Sequence, residues 1–391
     1  MFAGLTSESA PPIRFVRMLG SAGRLAGTES QALKLVNHLP DYGYEVHVVW
    51  PNVANLDISK LLRPGIVWHD LRIASKIDPR MYWRAYCLFK KLKPDVFMGS
   101  LWEGIYWGRA AAIAAGVRVV MYHIGSPHPT GPVWMRIFDR LLVGRTDVIA
   151  GISHGCIAAE KQRMGRPDLP TQLFPNNIDL EEFRQAMNKD ANLRRLVGAD
   201  ADTVVFIAVG TFRWEKAYDI LLKAWASLRP VPQQAHLAIV GAGSLFEETK
   251  ALAADLGITN TVTFPGWRQD VPALLKDADV FVLSSVSEGG PNVILEAAAA
   301  RLPVVASEAR GGFVREQVVD EVSALVVEPG SVEELAGAFA AVLQMSAAKR
   351  RKMGEMGYNH VAENFSFSSP KNTAAKIDRV CRRILADKGR L

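Results

Sequence analysis

Twelve short apolar runs, separated by longer stretches with helical spacing, constrain the fold of this chain more than any other feature. In the first half they occupy residues 13–19, 45–50, 66–71, 95–100, 118–123 and 147–153. In the second half they occupy 203–209, 236–241, 261–265, 278–284, 303–306 and 324–327. Runs of four to eight residues rich in Val, Ile and Phe, bounded by Gly, Pro or Asp, read as buried strands. The intervening segments, such as 30–38 and 219–228, space their apolar residues as amphipathic helices. Such alternation builds parallel sheets covered by helices on both faces. Twelve strands are too many for one compact doubly wound sheet, so two Rossmann-like halves are expected. The seam falls near residues 175–200, where Pro175-Asn176-Asn177-Ile178-Asp179 is turn chemistry. Two facing halves would place a ligand in the cleft between them, beyond the carboxyl ends of the strands.

Composition narrows the class. Of 391 residues, 49% are apolar and 22% charged, which excludes general disorder. Cys87, Cys156 and Cys381 are far apart and form no CxxC pair. That speaks against a disulfide framework or a zinc site. No apolar run reaches the length of a membrane span, and residues 1–12 lack the pattern of a signal peptide. The expectation is a cytoplasmic protein. Net charge is +6, yet residues 1–170 carry 21 Lys and Arg against 13 Asp and Glu. A basic first half suits an anionic partner such as a lipid phosphate or a phosphorylated substrate, or is simply a solvated surface. No nucleic-acid-binding motif accompanies it, so nucleic acid is not expected.

The most informative stretch is 278–307, ADVFVLSSVSEGGPNVILEAAAARLPVVAS. A strand runs into a loop holding Glu288, Gly289, Gly290 and Pro291. A helix follows from Asn292 and contains Glu296. The helix N-terminus then faces the carboxyl edge of the sheet, where an anion binds, and the glycines let backbone amides approach a phosphate. Seven residues separate Glu288 from Glu296; as helix they would rise about 12 Å. That is wider than the roughly 5–9.5 Å of a glycosidase pair. The two carboxylates read either as spread along a ligand, or as a helix-surface residue and a partner of the helix dipole.

This stretch resembles the signature of the retaining glycosyltransferases of family 4, which have the GT-B fold: two Rossmann-like doubly wound domains facing a central cleft. The matching residues are Ser285, Glu288, Gly289, Pro291, Asn292, Leu295, Glu296, Ala297, Ala299, Pro303, Val304, Val305 and Ala306. Val209-Gly210, Glu215-Lys216 and Asp219-Ile220-Leu221 resemble the family's phosphate-binding segment, Phe174-Pro175-Asn176-Asn177-Ile178-Asp179 its inter-domain motif, and Ala26-Gly27-Thr28-Glu29 its first glycine loop. The resemblance implies an acceptor-binding domain over 1–180, a nucleotide-sugar-binding domain over 181–365, and a helix within 366–391 that crosses back to the first domain.

It also implies roles. Lys216 matches the lysine that meets the donor diphosphate. The neighbouring arginine slot holds Thr211; Arg213, two residues on, either supplies the missing charge or is a solvated loop residue. Glu288 would contact the donor sugar's hydroxyls and Glu296 the ribose, with the turn of Gly289, Gly290, Pro291 and Asn292 holding the phosphates. His123 would lie near the sugar and acceptor, and Gly27 in the first glycine-rich loop beside the ligand. The reaction implied is retaining transfer from a nucleotide sugar, expected to be a UDP-sugar, with no cofactor and no metal. The acceptor would be a glycan, in one form carried on polyprenyl diphosphate, in surface polysaccharide or glycoconjugate synthesis. Residues 80–93 and 132–142 mix aromatic and basic side chains. They suit peripheral contact with an anionic membrane, or else Trp83, Cys87 and Leu92 pack on the sheet while the charges face water. Thr211 and Ala217, the latter in a glycine slot, keep open a degenerate partner subunit that binds a nucleotide sugar without transferring it. Gly241-Ala242-Gly243 keeps open a dinucleotide oxidoreductase, although the third glycine of that fingerprint is absent. A GT-B epimerase is a further rival.

Overall fold

A computed structural model of the chain describes residues 11–20, 27–53, 57–125, 133–228, 234–309, 313–369 and 371–389. Contacts divide it into two compact units. The first is the chain up to Gly151 together with Lys161–Gln172 and the residues from Ala374 on. The second is Ile152–Glu160 with Leu173–Thr373.

The sheet of the first unit contains β1 (Ile13–Met18), β2 (Tyr44–Trp50), β3 (Val67–Asp70), β4 (Val96–Ser100), β5 (Val119–Ile124), β6 (Val148–Gly151) and β7 (Thr171–Leu173), in the order β3-β2-β1-β4-β5-β6-β7. Pairing is parallel from β3 to β6. The second sheet contains β8 (Val204–Val209), β9 (Ala235–Val240), β10 (Val262–Gly266), β11 (Val280–Leu283), β12 (Val304–Ser307) and β13 (Ala324–Val327), in the order β10-β9-β8-β11-β12-β13 and parallel throughout. Each sheet starts in its middle, grows to one side and then jumps back to grow on the other. The jump leaves a gap between the loops that leave β1 and β4, and likewise β8 and β11, and there a ligand can reach the carboxyl ends.

The twelve apolar runs all become strands. β7 is the one that sequence reading misses, because Thr171-Gln172-Leu173 is three residues long and half-buried. The second sheet shows why its strands read as unbroken apolar runs. Val205, Ile207, Phe281 and Leu283 face one core with helix Asn292–Ala299. Phe206, Ala208, Val280 and Val282 face the other with helices Tyr218–Ala226 and Val332–Gln344. Both faces are dry, so alternation disappears.

Two connections differ from the simplest sequence division, in which the first domain runs unbroken to residue 180. The start of helix His154–Met164 belongs with the second unit: Cys156 Sγ contacts Gly289 O at 3.8 Å and His154 Nδ1 meets Glu316 Oε1 at 2.8 Å. Helix Thr373–Asp387 packs on the first unit, burying Ile377, Cys381 and Leu385. Arg382 donates to Tyr42 O at 2.7 Å, and Lys388 bridges Arg118 O and Asp147 Oδ1, both at 2.6 Å.

Candidate active site

The loop after β8 carries Lys216. It leaves the strand at Gly210, makes a short 3-10 turn over Trp214–Lys216 and enters helix Tyr218–Ala226. Phe212 anchors it: the ring is fully buried among Tyr218, Phe246 and Phe264. A Cβ on Gly210 would sit 2.8 Å from the Tyr218 hydroxyl and 3.0 Å from Lys216 Cε, so this glycine is the floor on which the lysine lies. Ala217 pays in strain for the turn. Its φ of +47° is left-handed, a conformation glycine adopts without penalty.

The Gly241-Ala242-Gly243 turn has a different task from a dinucleotide fingerprint. A Cβ on Gly241 would lie 1.8 Å from Gly210 O, and one on Gly243 would lie 2.4 Å from Phe212 O. Phe212 N donates to Ala242 O at 3.0 Å, and Leu245 N to Phe212 O at 3.1 Å. The glycines let the Lys216 loop press against the end of β9, which removes the sequence basis for a dehydrogenase.

The loop after β11 carries the acidic partner. Glu288 Oε1 lies 2.6 Å from Lys216 Nζ and accepts from Ser285 Oγ at 2.7 Å. Lys216 and Glu288 keep 20% and 15% of their side-chain surface exposed, so the pair is shielded yet reachable. Ser284 Oγ donates to Lys216 O at 2.7 Å, and Val286 N to Glu215 O at 2.9 Å, which ties the two loops together. The Tyr218 hydroxyl beneath them is buried, and burial followed by the negative charge of Glu288 pushes its pKa up.

After Glu288 the chain turns through Gly289, Gly290 and Pro291 into helix Asn292–Ala299, whose N-terminus has no side-chain cap. Its first amides are left to meet an anion, with the positive end of the helix dipole behind them. Gly290 is wedged: a Cβ there would strike Phe313 and Ile152 at 2.8 and 2.9 Å. Asn176 Nδ2 donates to Gly290 O at 3.1 Å and to Asn292 Oδ1 at 2.8 Å. Asn177 donates to Phe365 O and accepts from Thr373 N, both at 2.9 Å. Asp179 caps the helix Leu180–Met187. Sequence reading takes the Asn176-Asn177 pair for turn chemistry within a motif resembling the family's inter-domain segment; in the fold, Asn176 braces the Gly289–Asn292 turn from 114 residues away.

Lys216, Glu288, Ser285, Gly289, Gly290, Pro291 and Asn292 thus lie on the two loops at the β8/β11 gap. Glu296 is half-buried in the helix that starts there. Arg213 points elsewhere: 62% of its side chain is exposed, it pairs with Glu215 at 3.1 Å, and it lines a cavity of about 490 Å³ with Trp214, Asp219, Lys223 and Leu252. As placed, it does not join the Lys216–Glu288 pair. His123 and Gly27 belong to the first unit. His123 is in β5, in register with Ser100 of β4 and Ala150 of β6. Gly27 opens helix Gly27–His38, and the adjacent Thr28 packs on Gly125, with its Oγ1 3.1 Å from where a Gly125 Cβ would be. Residues 21–26, which lead from the first strand to Gly27, lie outside the described residues.

The β1/β4 gap of the first unit holds a group that sequence reading misses. Arg17, in β1, is 1% exposed, and its Nη2 donates to Ser100 Oγ at 2.5 Å. Its Nε and Nη1 have no hydrogen-bond partner. Burial lowers its pKa to about 9. Leu101, next to Ser100, has a left-handed φ of +55°, and Glu103 is buried. The three cysteines are unpaired. Among the described residues no cluster of three His, Cys, Asp or Glu has the geometry of a metal site, and no helix is long and apolar enough to cross a membrane.

Two parallel sheets with this strand order, and a cation–carboxylate pair set at the β8/β11 gap before a free helix N-terminus, define the class: this chain belongs to the group 1 glycosyltransferases of GT-B fold. Residues 190–360 match the family described as glycosyl transferases group 1, and residues 25–182 match glycosyltransferase family 4. The chain is 30% identical over 309 residues to the UDP-Gal:alpha-D-GlcNAc-diphosphoundecaprenol alpha-1,3-galactosyltransferase of Escherichia coli, covering 73% of this chain and 77% of that protein. It is 32% identical over 263 residues to a GDP-mannose-dependent alpha-(1-6)-phosphatidylinositol monomannoside mannosyltransferase of Mycobacterium tuberculosis, covering 62% and 66% of the two chains. The fold matches the crystal structure of Anabaena HepE in complex with UDP, with a TM-score of 0.74 at 20% identity, covering 95% of this chain and 99% of that one.

Proposed function

We propose that this protein is a retaining, metal-independent glycosyltransferase that moves a sugar from a UDP-sugar to a glycan acceptor carried on a lipid, in surface polysaccharide or glycoconjugate synthesis. The observation that carries the reading is the Lys216–Glu288 pair in front of the uncapped helix N-terminus. A nucleoside diphosphate entering this gap offers Lys216 a stronger anion than Glu288. The ammonium turns to the phosphates, the first helix amides complete their binding, and charge on the departing diphosphate is met without a metal ion. Glu288, released but still held by Ser285, accepts from hydroxyls of the donor sugar. Glu296 is the partner for the ribose. The bond from the anomeric carbon to the phosphate oxygen breaks, the acceptor oxygen bonds to the same face, and its proton leaves on the diphosphate. No protein nucleophile is required. His123 and Gly27 serve the acceptor and sugar from the first unit.

The name of the Escherichia coli relative, with its UDP-linked donor and lipid-diphosphate acceptor, and the UDP in the HepE structure support uridine and a lipid-linked acceptor. The mycobacterial relative makes GDP the rival donor. Thr211 in the arginine slot and Arg213 turned toward Glu215 favour one second reading, a subunit that binds the nucleotide sugar without transferring it. Calorimetry with UDP, GDP and ADP, with and without EDTA, on the protein and on Lys216→Ala and Glu296→Ala, tests the site. Tight UDP binding that EDTA leaves unchanged and both variants lose is the expected result. No diphosphate binding overturns it. NMR of the anomeric proton in the product decides retention, and absence of any product with active donor binding selects the second reading.

A further inference from the structure

The cavity of about 490 Å³ beside Arg213 belongs wholly to the second unit and shares no lining residue with the Lys216–Glu288 pair. Its walls are two helices and a turn. Helix Phe246–Asp255 and the residue before it present Leu245, Glu248, Leu252 and Asp255, spaced as one stripe in which apolar and acidic side chains alternate. Helix Tyr218–Ala226 presents Asp219 and Lys223, one turn apart. The loop after β8 contributes Trp214, which is 66% exposed.

The backbone under Trp214 is fixed. Lys216 N donates to Arg213 O at 3.0 Å, Ala217 N to Trp214 O at 3.1 Å, and Val286 N to Glu215 O at 2.9 Å. An indole held on a tied turn beside two leucines is an apolar platform that a ligand meets at low ordering cost. Leu245 N donates to Phe212 O at 3.1 Å, which sets the start of the acidic stripe against the same loop. Glu248 therefore stands at the Trp214 end of the cavity and Asp255 at the far end.

Charge selects the ligand. Both cations of the lining are engaged, Arg213 with Glu215 and Lys223 with Asp219, each at 3.1 Å. The carboxylates of Glu248 and Asp255 make no ion pair among the described residues; the neighbouring Lys250 reaches Glu247 instead. An anion meets spent cations and open carboxylates. An amine meets two cations beside the carboxylates. A neutral ligand with an apolar face and a rim of hydroxyls is penalised by neither sign, because ionised carboxylates accept only and hydroxyls donate to them.

We infer that this cavity is a second saccharide site, outside the donor gap, in which one sugar ring stacks its C–H face on Trp214 and donates hydroxyl protons to Glu248, and a linked ring donates to Asp255. Glu248 and Asp255 are two turns apart, about 10 Å along the helix, further than a single ring reaches. The volume lies within the roughly 300–1,000 Å³ of small-molecule sites. The inference goes beyond the transfer reaction and does not depend on the donor assignment.

The test is saturation-transfer NMR on the full chain with maltose, lactose and methyl α-D-glucopyranoside, in the presence of saturating UDP. Trp214→Ala and Glu248→Gln are compared with the parent, and UDP affinity is measured on all three proteins. Both side chains are exposed, so neither substitution threatens the core. The disaccharides should bind in the millimolar range, more tightly than the monosaccharide, and UDP should not displace them. Affinity should fall roughly tenfold in Trp214→Ala and several-fold in Glu248→Gln, with UDP affinity unchanged. No saccharide binding, displacement by UDP, or a Trp214→Ala protein that binds like the parent would overturn the inference. So would binding of putrescine in place of the sugars, which would assign the cavity to an amine. Failure of the parent to bind UDP would strike the donor site alone, and the loss in Trp214→Ala would still decide the second site.

Discussion

The two sheets share a strand order, and each sets a cation at its topological gap, but in opposite ways. In the second unit the cation is Lys216, on a loop, partly exposed and paired with Glu288 at 2.6 Å. In the first it is Arg17, inside β1, dry, with one hydrogen bond to Ser100 and two nitrogens unmatched. The first arrangement is a charge stored in a releasable pair; the second is a charge locked into the scaffold at a desolvation cost. One topology therefore supports both a switchable group and a fixed one, and what separates them is whether the cation stands on the strand or past its end.

The sharpest test of the contrast is catalytic. Glu288→Gln and Lys216→Ala should each lower kcat about 10²–10³-fold, as loss of a charge-stabilising group does, while Arg17→Met should leave UDP affinity unaltered. Calorimetry and steady-state rates on the same preparations would decide it, and equal loss of UDP binding from Arg17→Met would erase the distinction. Next in size, Gly241→Ala forces a Cβ onto Gly210 O. It should cost about 3 kcal/mol in urea unfolding and take UDP binding with it. Arg17→Met should change stability by only about 1 kcal/mol, because an apolar side chain of similar length replaces a half-matched buried charge. Arg17→Ala, which leaves a void, should cost about 3 kcal/mol; similar values for the two would show that the charge itself holds β1 and β4 together.

A pH effect belongs to the first unit. His69 Nε2 lies 3.1 Å from His47 Nδ1, and His47 in turn meets Glu45 Oε1 at 3.0 Å. Burial, then the charges of His47 and Lys91, lower the His69 pKa to about 4. The unfolded chain therefore binds the extra proton first, and stability contributed by this group falls as pH drops from about 6.5 to about 4. Because the ring is half-buried, the loss should be only about 1 kcal/mol. Urea midpoints of the parent and His69→Gln should converge across that window, and parallel curves would refute the assignment. Smallest of all, Ala217→Gly should stabilise the second unit by about 0.5 kcal/mol, by relieving the left-handed φ, against the entropy glycine adds to the unfolded chain.

Much of this was legible in the residues. Apolar runs report strands buried on both faces, because most positions on either side must be apolar. The Glu288 and Lys216 loops are legible because their chemistry and turns are encoded in contiguous residues. What escaped depends on contacts distant in sequence. Asn176 reads as a turn residue until Gly290 is brought to it. Arg213 reads either as a replacement for the arginine absent at Thr211 or as a solvated loop residue until its exposed pairing with Glu215 is seen. Arg17 reads as one polar residue inside an apolar run, and only its place beside Ser100 at the carboxyl edge of β4 shows what its buried guanidinium meets. Gly241-Ala242-Gly243 has the spelling of a nucleotide loop, but a neighbouring backbone occupies the space a phosphate would need.

Helix Thr373–Asp387 has a consequence for the order in which this molecule can be made. It completes the first unit with Ile377, Cys381 and Leu385, and the whole of the second unit is translated before it. As the chain leaves the ribosome, β1 to β6 are the earliest strands out but lack one covering helix until residue 387 has been joined. The second unit needs nothing from beyond Thr373. The half made first is thus finished last, and a truncated or stalled chain carries a whole second unit and a first unit with an uncovered face.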